Sequence, residues 1–168
     1  MKKITIIYGS ETGNTQAVAE KIKQELNNFS PKLIEIEKAT EADFTDADVL
    51  LLGTSTWGIG DLPSGWEGYL SKLDNINLAG KKVALFGTGD SAGFSDSFVS
   101  AMRLIYDIVD KQGADIFGQI PADDYSFEAS DAVMDDMFVG LPIDEDNEPE
   151  KTDQRIKDWI ELIKPVIE

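Results

Sequence analysis

The chain of 168 residues contains neither cysteine nor histidine. Without thiols there can be no disulfide, no thiolate metal site and no cysteine nucleophile. Without imidazole there is no Ser-His-Asp triad and no histidine ligation. Long apolar runs are lacking too, and none approaches the ~20 residues that a membrane-spanning helix needs. Lys2 and Lys3 are followed by a short apolar strand and then by polar loop, not by the apolar stretch of a signal peptide. Basic side chains are few, 15 against 32 acidic, for a formal charge of −17. Such a charge repels nucleic acid and anionic membranes and favours a basic protein partner. The expectation is a soluble, cytoplasmic chain that forms a single domain over residues 1–168 and buries a full core.

What the sequence does have is concentrated first at Gly9-Ser10-Glu11-Thr12-Gly13-Asn14-Thr15. The apolar run Ile4–Tyr8 before it reads as a buried strand. Gln16–Leu26 after it reads as an amphipathic helix, with Val18, Ile22 and Leu26 four apart on one face. A strand that turns through small and hydroxylated residues into a helix start gathers free N–H groups, hydroxyls and the positive end of the helix dipole. That combination is an anion site. No lysine follows a glycine in the loop, so it lacks the pattern that binds a nucleoside triphosphate with magnesium. The matching ligand is a phosphate held by N–H and O–H donors alone; the plainer alternative is an ordinary helix cap on Thr12.

Strand and helix signals then alternate. Lys32–Ile36 reads as strand, Thr40-x-x-Asp43 has capping-box spacing for a short helical turn, and Val49–Gly53 is an unalternating strand of the kind buried on both faces. Ser64-x-x-Glu67 reads as a second capping box, opening a helix through Leu70 and Leu73. Lys82–Phe86 is a fourth strand, Phe98, Met102, Ile105 and Val109 mark a long helix, and Ala114–Phe117 is a fifth strand. Ile156, Ile160 and Ile163 mark a last helix capped by Thr152 or Asp153. Repeated strand–helix units with apolar strands predict an α/β fold whose parallel sheet is covered on both faces. From Gly118 to Lys151 runs a connection of more than 30 residues, where such loops usually take about 2–6. Within it Met137-Phe138-Val139-Gly140-Leu141 reads as strand again. The simplest account is a fifth strand interrupted by an insertion around Ile120–Asp136.

In an open parallel sheet, ligands bind beyond the carboxyl ends of the strands where the winding reverses. Two further loops leave strand ends there with unusual chemistry. Thr54–Leu62 sets Trp57 in a glycine-rich turn, and Thr88–Asp96 does the same for Phe94. Two aromatics on such loops suit the opposite faces of a flat ring. The plainer alternative is that both cap the end of the core.

Ser10-x-Thr12-Gly13-Asn14-Thr15, Thr56-Trp57-Gly58-Ile59-Gly60-Asp61 and Gly87-Thr88-Gly89-Asp90-Ser91-Ala92-Gly93-Phe94-Ser95-Asp96 resemble the three flavin-binding loops of flavodoxins. The closing Val139–Asn147 is similar too, and the likeness runs from Lys3 to about Val166. The interrupted fifth strand resembles the long-chain branch. The resemblance implies a three-layer, doubly wound, five-stranded parallel sheet of flavodoxin-like order 2-1-3-4-5, with non-covalently bound FMN. It implies that Ser10, Thr12, Asn14 and Thr15, with the N–H groups of Glu11 and Gly13, hold the phosphate. Thr56 and Asp146 fall where family members meet phosphate or ribityl hydroxyls. Trp57 and Phe94 would cover the ring faces, and Thr88, Gly89, Asp90 and Val99 the pyrimidine edge. Phe94 departs from the tyrosine most flavodoxins carry, which removes a phenolic hydroxyl from that face. The Gly58-Ile59 peptide, with Gly60 beyond it, resembles the one that turns its carbonyl towards flavin N5 when the neutral semiquinone forms. Glycine allows the positive φ such a turn requires.

An electron carrier rather than an enzyme follows from this resemblance. FMN supplies the redox chemistry, covered ring faces leave little room for a substrate, and no acid–base pair is evident nearby. Asp61, Asp90, Asp96, Asp144, Glu145 and Asp146 would disfavour the anionic hydroquinone and lower its potential. The expected partners are basic redox proteins, such as a flavodoxin or ferredoxin-NADP reductase, meeting a monomer. The alternative on the same fold is an FMN-dependent NAD(P)H or quinone reductase. Two other patterns are weaker. Gly87-x-Gly89-x-x-Ala92 matches a dinucleotide fingerprint but follows the fourth strand rather than the first, and Asp115 is a poor match for its acidic residue. Asp144-x-Asp146-x-Glu148 suggests a calcium loop, yet Pro149 replaces the needed glycine and Arg155 the bidentate glutamate. A solvated acidic rim is the better reading there, with no metal expected.

Overall fold

Apolar runs without alternation are satisfied only where both faces of a strand are covered, and the computed structural model, which describes residues 1–168, places them so. In chain order the elements are β1 (Ile4–Gly9), α1 (Asn14–Glu25), β2 (Lys32–Glu35), α2 (Glu41–Thr45), β3 (Val49–Ser55) and α3 (Ser64–Leu73). They continue with β4 (Lys82–Thr88), α4 (Ala101–Lys111), β5 (Asp115–Phe117), β6 (Ile120–Pro121), β7 (Val133–Met134), β8 (Met137–Phe138), β9 (Leu141–Ile143) and α5 (Thr152–Ile167). The main strands pair in the order β2-β1-β3-β4-β5, all parallel, as expected. β1 and β3 are buried along their whole length, whereas the edge strands β2 and β5 are half-exposed.

Side chains alternate across the sheet and so feed two cores. Ile7, Leu50, Leu52, Val83 and Leu85 meet Trp66, Met102 and Ile105 from α3 and α4. Ile6, Val49, Leu51 and Phe86 meet Val18, Ile22, Ile156 and Ile160 from α1 and α5. Each core contains one fully buried tryptophan, and a buried indole N–H needs an acceptor. Trp66 Nε1 donates to the Gly53 carbonyl at 2.7 Å, and Trp159 Nε1 to that of Gly118 at 2.8 Å. The first bond lands within β3 and the second just past the end of β5.

The fifth strand is interrupted, but it resumes later than the sequence suggests. β5 pairs with Lys82–Ala84, and β9 follows it along the same strand, pairing with Phe86–Thr88. Met137 and Phe138 belong to the insertion, as the middle strand of a small antiparallel sheet ordered β6-β8-β7. The cause is packing: the fully buried Phe138 ring lies 5.2 Å from Tyr125 and from Phe127 and 6.0 Å from Phe98. Gly140 then brings the chain back so close to β4 that a Cβ there would collide with the Leu85 carbonyl.

Helix starts follow tertiary partners as often as local ones. Thr40 and Asp43 form the expected capping box, with the Thr40 N–H donating to Asp43 Oδ2 at 2.7 Å. Ser64 forms none; its N–H donates instead to Glu11 Oε1, from the first loop, at 2.7 Å. α5 also lacks a side-chain cap: the Thr152 hydroxyl has no partner, and Asp153 pairs with Lys21 on α1. α4 begins at Ala101, leaving Phe98 in the turn before it.

Gly140→Ala should therefore cost about 1–3 kcal/mol of stability, the usual penalty for overpacking. Gly68→Ala is the matched control. It lies inside α3 with open space around a new Cβ, and should gain up to about 1 kcal/mol from helix propensity. Urea unfolding of both variants checks the contrast.

Candidate functional site

Strand register sets the loops at one height. Gly9 lies beside Thr54, Thr54 beside Gly87, and Ser55 beside Thr88. The loops that follow enclose a cavity of about 350 Å³. Glu11, Thr12 and Asn14 line it from the first loop, Ser55, Thr56, Trp57 and Gly58 from the second. Thr88, Gly89, Asp90 and Phe94 line it from the third, and Asp146 from the turn after β9. No lysine or arginine is among them.

Three residues of the first loop stand behind this lining. Ser10 Oγ accepts the Gly13 N–H at 2.9 Å, which spends that N–H within the loop. Thr15, the second residue of α1, is fully buried, and its hydroxyl bonds to that of Thr88 at 2.7 Å. Gly13 itself, at φ 94°, is the residue before α1, the place the plainer reading gave to Thr12.

The two aromatics do not cap the core. Trp57 is 56% exposed and Phe94 43%, and both face the cavity. Trp57 and Asp61 exchange backbone hydrogen bonds of 2.7 and 2.8 Å across a tight turn. Gly58 and Gly60 within it have φ of 54° and 94°, which only glycine adopts freely. Positive φ at Gly58 is thus a property of the turn as it stands, so a β-branched residue would strain the turn in this conformation too. Ile59 points to solvent and Gly60 lies against Ser97 and Ser100, outside the lining. Val99 is outside it as well: it is fully buried at φ 48°, rare for a β-branched residue, and its N lies where a Cβ on Gly89 would press. Thr56 Oγ1 accepts the Ala101 N–H at 3.2 Å, which joins the second loop to the start of α4.

Two residues of the site escaped the sequence reading, Ser55 and Asn147. Odd-numbered side chains of β3 point to the α1 side, so Ser55 faces the same way as Thr88 and Thr15. Its hydroxyl is buried and has no partner in the chain. Asn147 lies three residues beyond Asp144, the spacing at which a buried aspartate caps its own turn; the Asn147 N–H donates to Asp144 Oδ1 at 3.2 Å.

The carboxylates at the other end of the cavity differ in environment. Asp90 Oδ1 accepts the Gly93 N–H at 2.8 Å, the Asn147 amide at 2.8 Å and the Ala92 N–H at 3.2 Å. The Gly93 bond first, and Asn147 next, hold its pKa below the usual carboxylate value. Burial pushes Asp146 the other way, helped by the charges of Asp90, Asp144 and Glu145. The stabilities therefore have opposite signs. Asp90 stabilises the fold above the unfolded carboxylate pKa of about 3.9 and loses this as pH falls through its lower folded value. Asp146 favours the fold below that pKa and turns into a cost as pH rises through its higher folded value. In urea unfolding, Asp146→Asn should raise stability at pH 7 and lose its advantage towards pH ~3, whereas Asp90→Asn should lower stability at pH 7.

The comparisons with known proteins agree from end to end. The family model described as flavodoxin matches residues 6–159. The chain is 41% identical to a flavodoxin of Synechocystis over 169 residues, all of this chain and 99% of that one. It is 44% identical to one of Synechococcus elongatus over 165 residues, 98% of this chain and 97% of that one. Its backbone is similar to the crystal structure of Fusobacterium nucleatum flavodoxin bound to flavin mononucleotide, with TM-score 0.95, 33% identity and full cover of both chains. Sequence and backbone alike place this chain in the flavodoxin family.

Proposed function

We propose that the cavity holds FMN non-covalently and that the chain carries electrons one at a time between redox proteins. The observation that carries this reading is the donor set at the cavity floor, hydroxyls and N–H groups without a cation. A buried hydroxyl left unpaired is costly, and Ser55 Oγ is one; a phosphate oxygen is the acceptor it lacks. Thr12, Asn14 and the N–H groups at the start of α1 supply the other donors, with Ser10, Gly13 and Thr15 holding the loop in shape. Trp57 and Phe94 offer an aromatic face from each side, and Gly89, Asp90 and Thr88 a polar edge. Gly58, Ile59 and Gly60 form the turn beside the ring, and Val99 braces Gly89 from below.

FMN, when bound, supplies the one-electron chemistry. The chain is an electron-transfer protein rather than an enzyme, and its residues set the conditions of transfer. Trp57 and Phe94 keep water and substrates from the ring faces. Asp90, Asp144, Glu145 and Asp146 disfavour negative charge gathering in the cavity, which keeps the reduction potential low. The exposed carboxylates of this end, with the net charge of −17, favour a basic partner such as a flavodoxin or ferredoxin-NADP reductase. We take the chain to work as a monomer, a single FMN-binding domain over residues 1–168, in the cytoplasm.

Purified protein should be yellow and release FMN, not FAD, on denaturation; recovery of FAD alone, or apoprotein that takes up no flavin, would overturn the proposal. Ser55→Ala should weaken FMN by about tenfold or more, as expected for a lost hydrogen bond to a charged group. Riboflavin, which has no phosphate, should bind the variant as it binds wild type, and apoprotein stability should not fall. Fluorescence titration of both flavins reads this directly. The rate of reduction by a basic reductase should drop as salt rises from about 10 to 300 mM, as screening shortens towards ~8 Å and below. Stopped-flow rates indifferent to salt would exclude electrostatic docking.

A further inference from the structure

Asn147 stands where the third loop meets the turn after β9. Its Nδ2 donates to Asp90 Oδ1 at 2.8 Å and to Asp144 Oδ1 at 2.9 Å. Asp144 is wholly buried, and its second oxygen takes the Ser91 hydroxyl. Asp90 lines the cavity, and the carboxylates of Asp90, Asp144 and Asp146 lie within 4.8 Å of one another. Glu145 adds a fourth negative charge close by. The two cations that follow closely in the chain, Lys151 and Arg155, both pair with Glu148. A primary amide has two donors and no charge, so it can bridge two carboxylates without adding to the charge they carry. Without such a bridge the two would repel, and the buried Asp144 carboxylate would keep only the Ser91 hydroxyl and the Asn147 backbone N–H as donors.

We infer that Asn147 is a positioning residue for the edge of the flavin ring: its amide bridges Asp90 to Asp144 and locks the third loop onto the turn after β9. The place of Asp90 in the cavity wall is then set by a residue that does not itself line the cavity. The inference rests on the proposed FMN site, and its test separates the two. Asn147→Asp is isosteric and replaces the donor by a further carboxylate at high pH, while its protonated form restores one donor. Asn147→Leu removes the donors at every pH. FMN is added to each apoprotein and binding is followed by quenching of flavin fluorescence. Midpoint potentials are read by spectroelectrochemical titration, and circular dichroism checks that each apoprotein is folded.

Asn147→Asp should bind FMN at least about tenfold more weakly than wild type at pH 8, the scale of lost charge-assisted hydrogen bonds. Its midpoint potential should be more negative than that of wild type, since added negative charge opposes reduction. Both differences should shrink as pH falls to about 5, through the range of a carboxylate among like charges. Asn147→Leu should be weaker at both pH values by a similar factor. Asn147→Asp matching wild type at pH 8, or showing a defect unchanged at pH 5, would overturn the inference, and so would Asn147→Leu with wild-type affinity. If Asn147→Asp does not fold at pH 8, the Leu variant and the comparison at pH 5 decide. If wild-type apoprotein takes up no FMN, the proposed function fails instead. The bridge is then judged from the Asp90 carboxyl titration by NMR: Asn147→Leu should raise it, and an unmoved titration would overturn the bridge.

Discussion

The pairing of β3 with a parallel neighbour on each side is the constraint on which the site depends. β3 is buried along its length between β1 and β4, and its register decides at what height each neighbouring loop leaves the sheet. A shift of one residue would turn Ser55 away from α1 and reverse Leu50, Leu51 and Leu52 between the two cores. The apolar cores thus hold the cavity in shape, although none of their residues lines it. The Trp66 and Trp159 indoles reinforce this arrangement. Trp66 pins α3 to a carbonyl within β3, and Trp159 pins α5 to the carbonyl just past β5.

The two ends of the cavity solve opposite electrostatic problems. At the α1 end the wall offers neutral donors, which suit an anion without fixing a charge of their own, beside Glu11, whose carboxylate accepts the Ser64 N–H. At the far end it carries the carboxylates of Asp90, held below the usual carboxylate pKa by the Gly93 N–H and the Asn147 amide, and of Asp146, pushed above it by burial and like charge. A ligand that fits both ends must place its anionic group first and its polarisable ring second. The order of the loops along the chain dictates that orientation.

Much of this was legible in the residues alone, for physical reasons. Val49–Leu52 can only be a strand covered on both faces, and Gly9–Thr15 can only be a tight strand-to-helix turn, because their composition leaves few alternatives. What was not legible depends on partners distant in the chain. Ser64 looks like a helix cap, but its N–H is taken by Glu11 from another loop. Met137 and Phe138 have strand character, yet their partners are set by an aromatic cluster that includes Phe98. Ser55 differs from any other serine only through the face of the sheet it lands on. Asn147 matters only because the third loop brings Asp90 to it.

The split fifth strand has a consequence for how this fold can vary. Phe117 pairs with Ala84 and Leu141 with Phe86, so along β4 the whole of residues 118–140 takes the place of a single strand residue beside Leu85. In topological terms the segment is a parenthesis: the chain steps off the sheet edge and re-enters one place further on. Its length can grow or shrink without changing the order or direction of any other strand. Variation there is restrained by attachments of side chain to scaffold, such as the Tyr125 hydroxyl on the Pro142 carbonyl and the Arg155 guanidinium 4.0 Å over the Tyr125 ring. The sheet edge is therefore a place where new surface can be added next to the cavity while the cavity itself keeps its geometry.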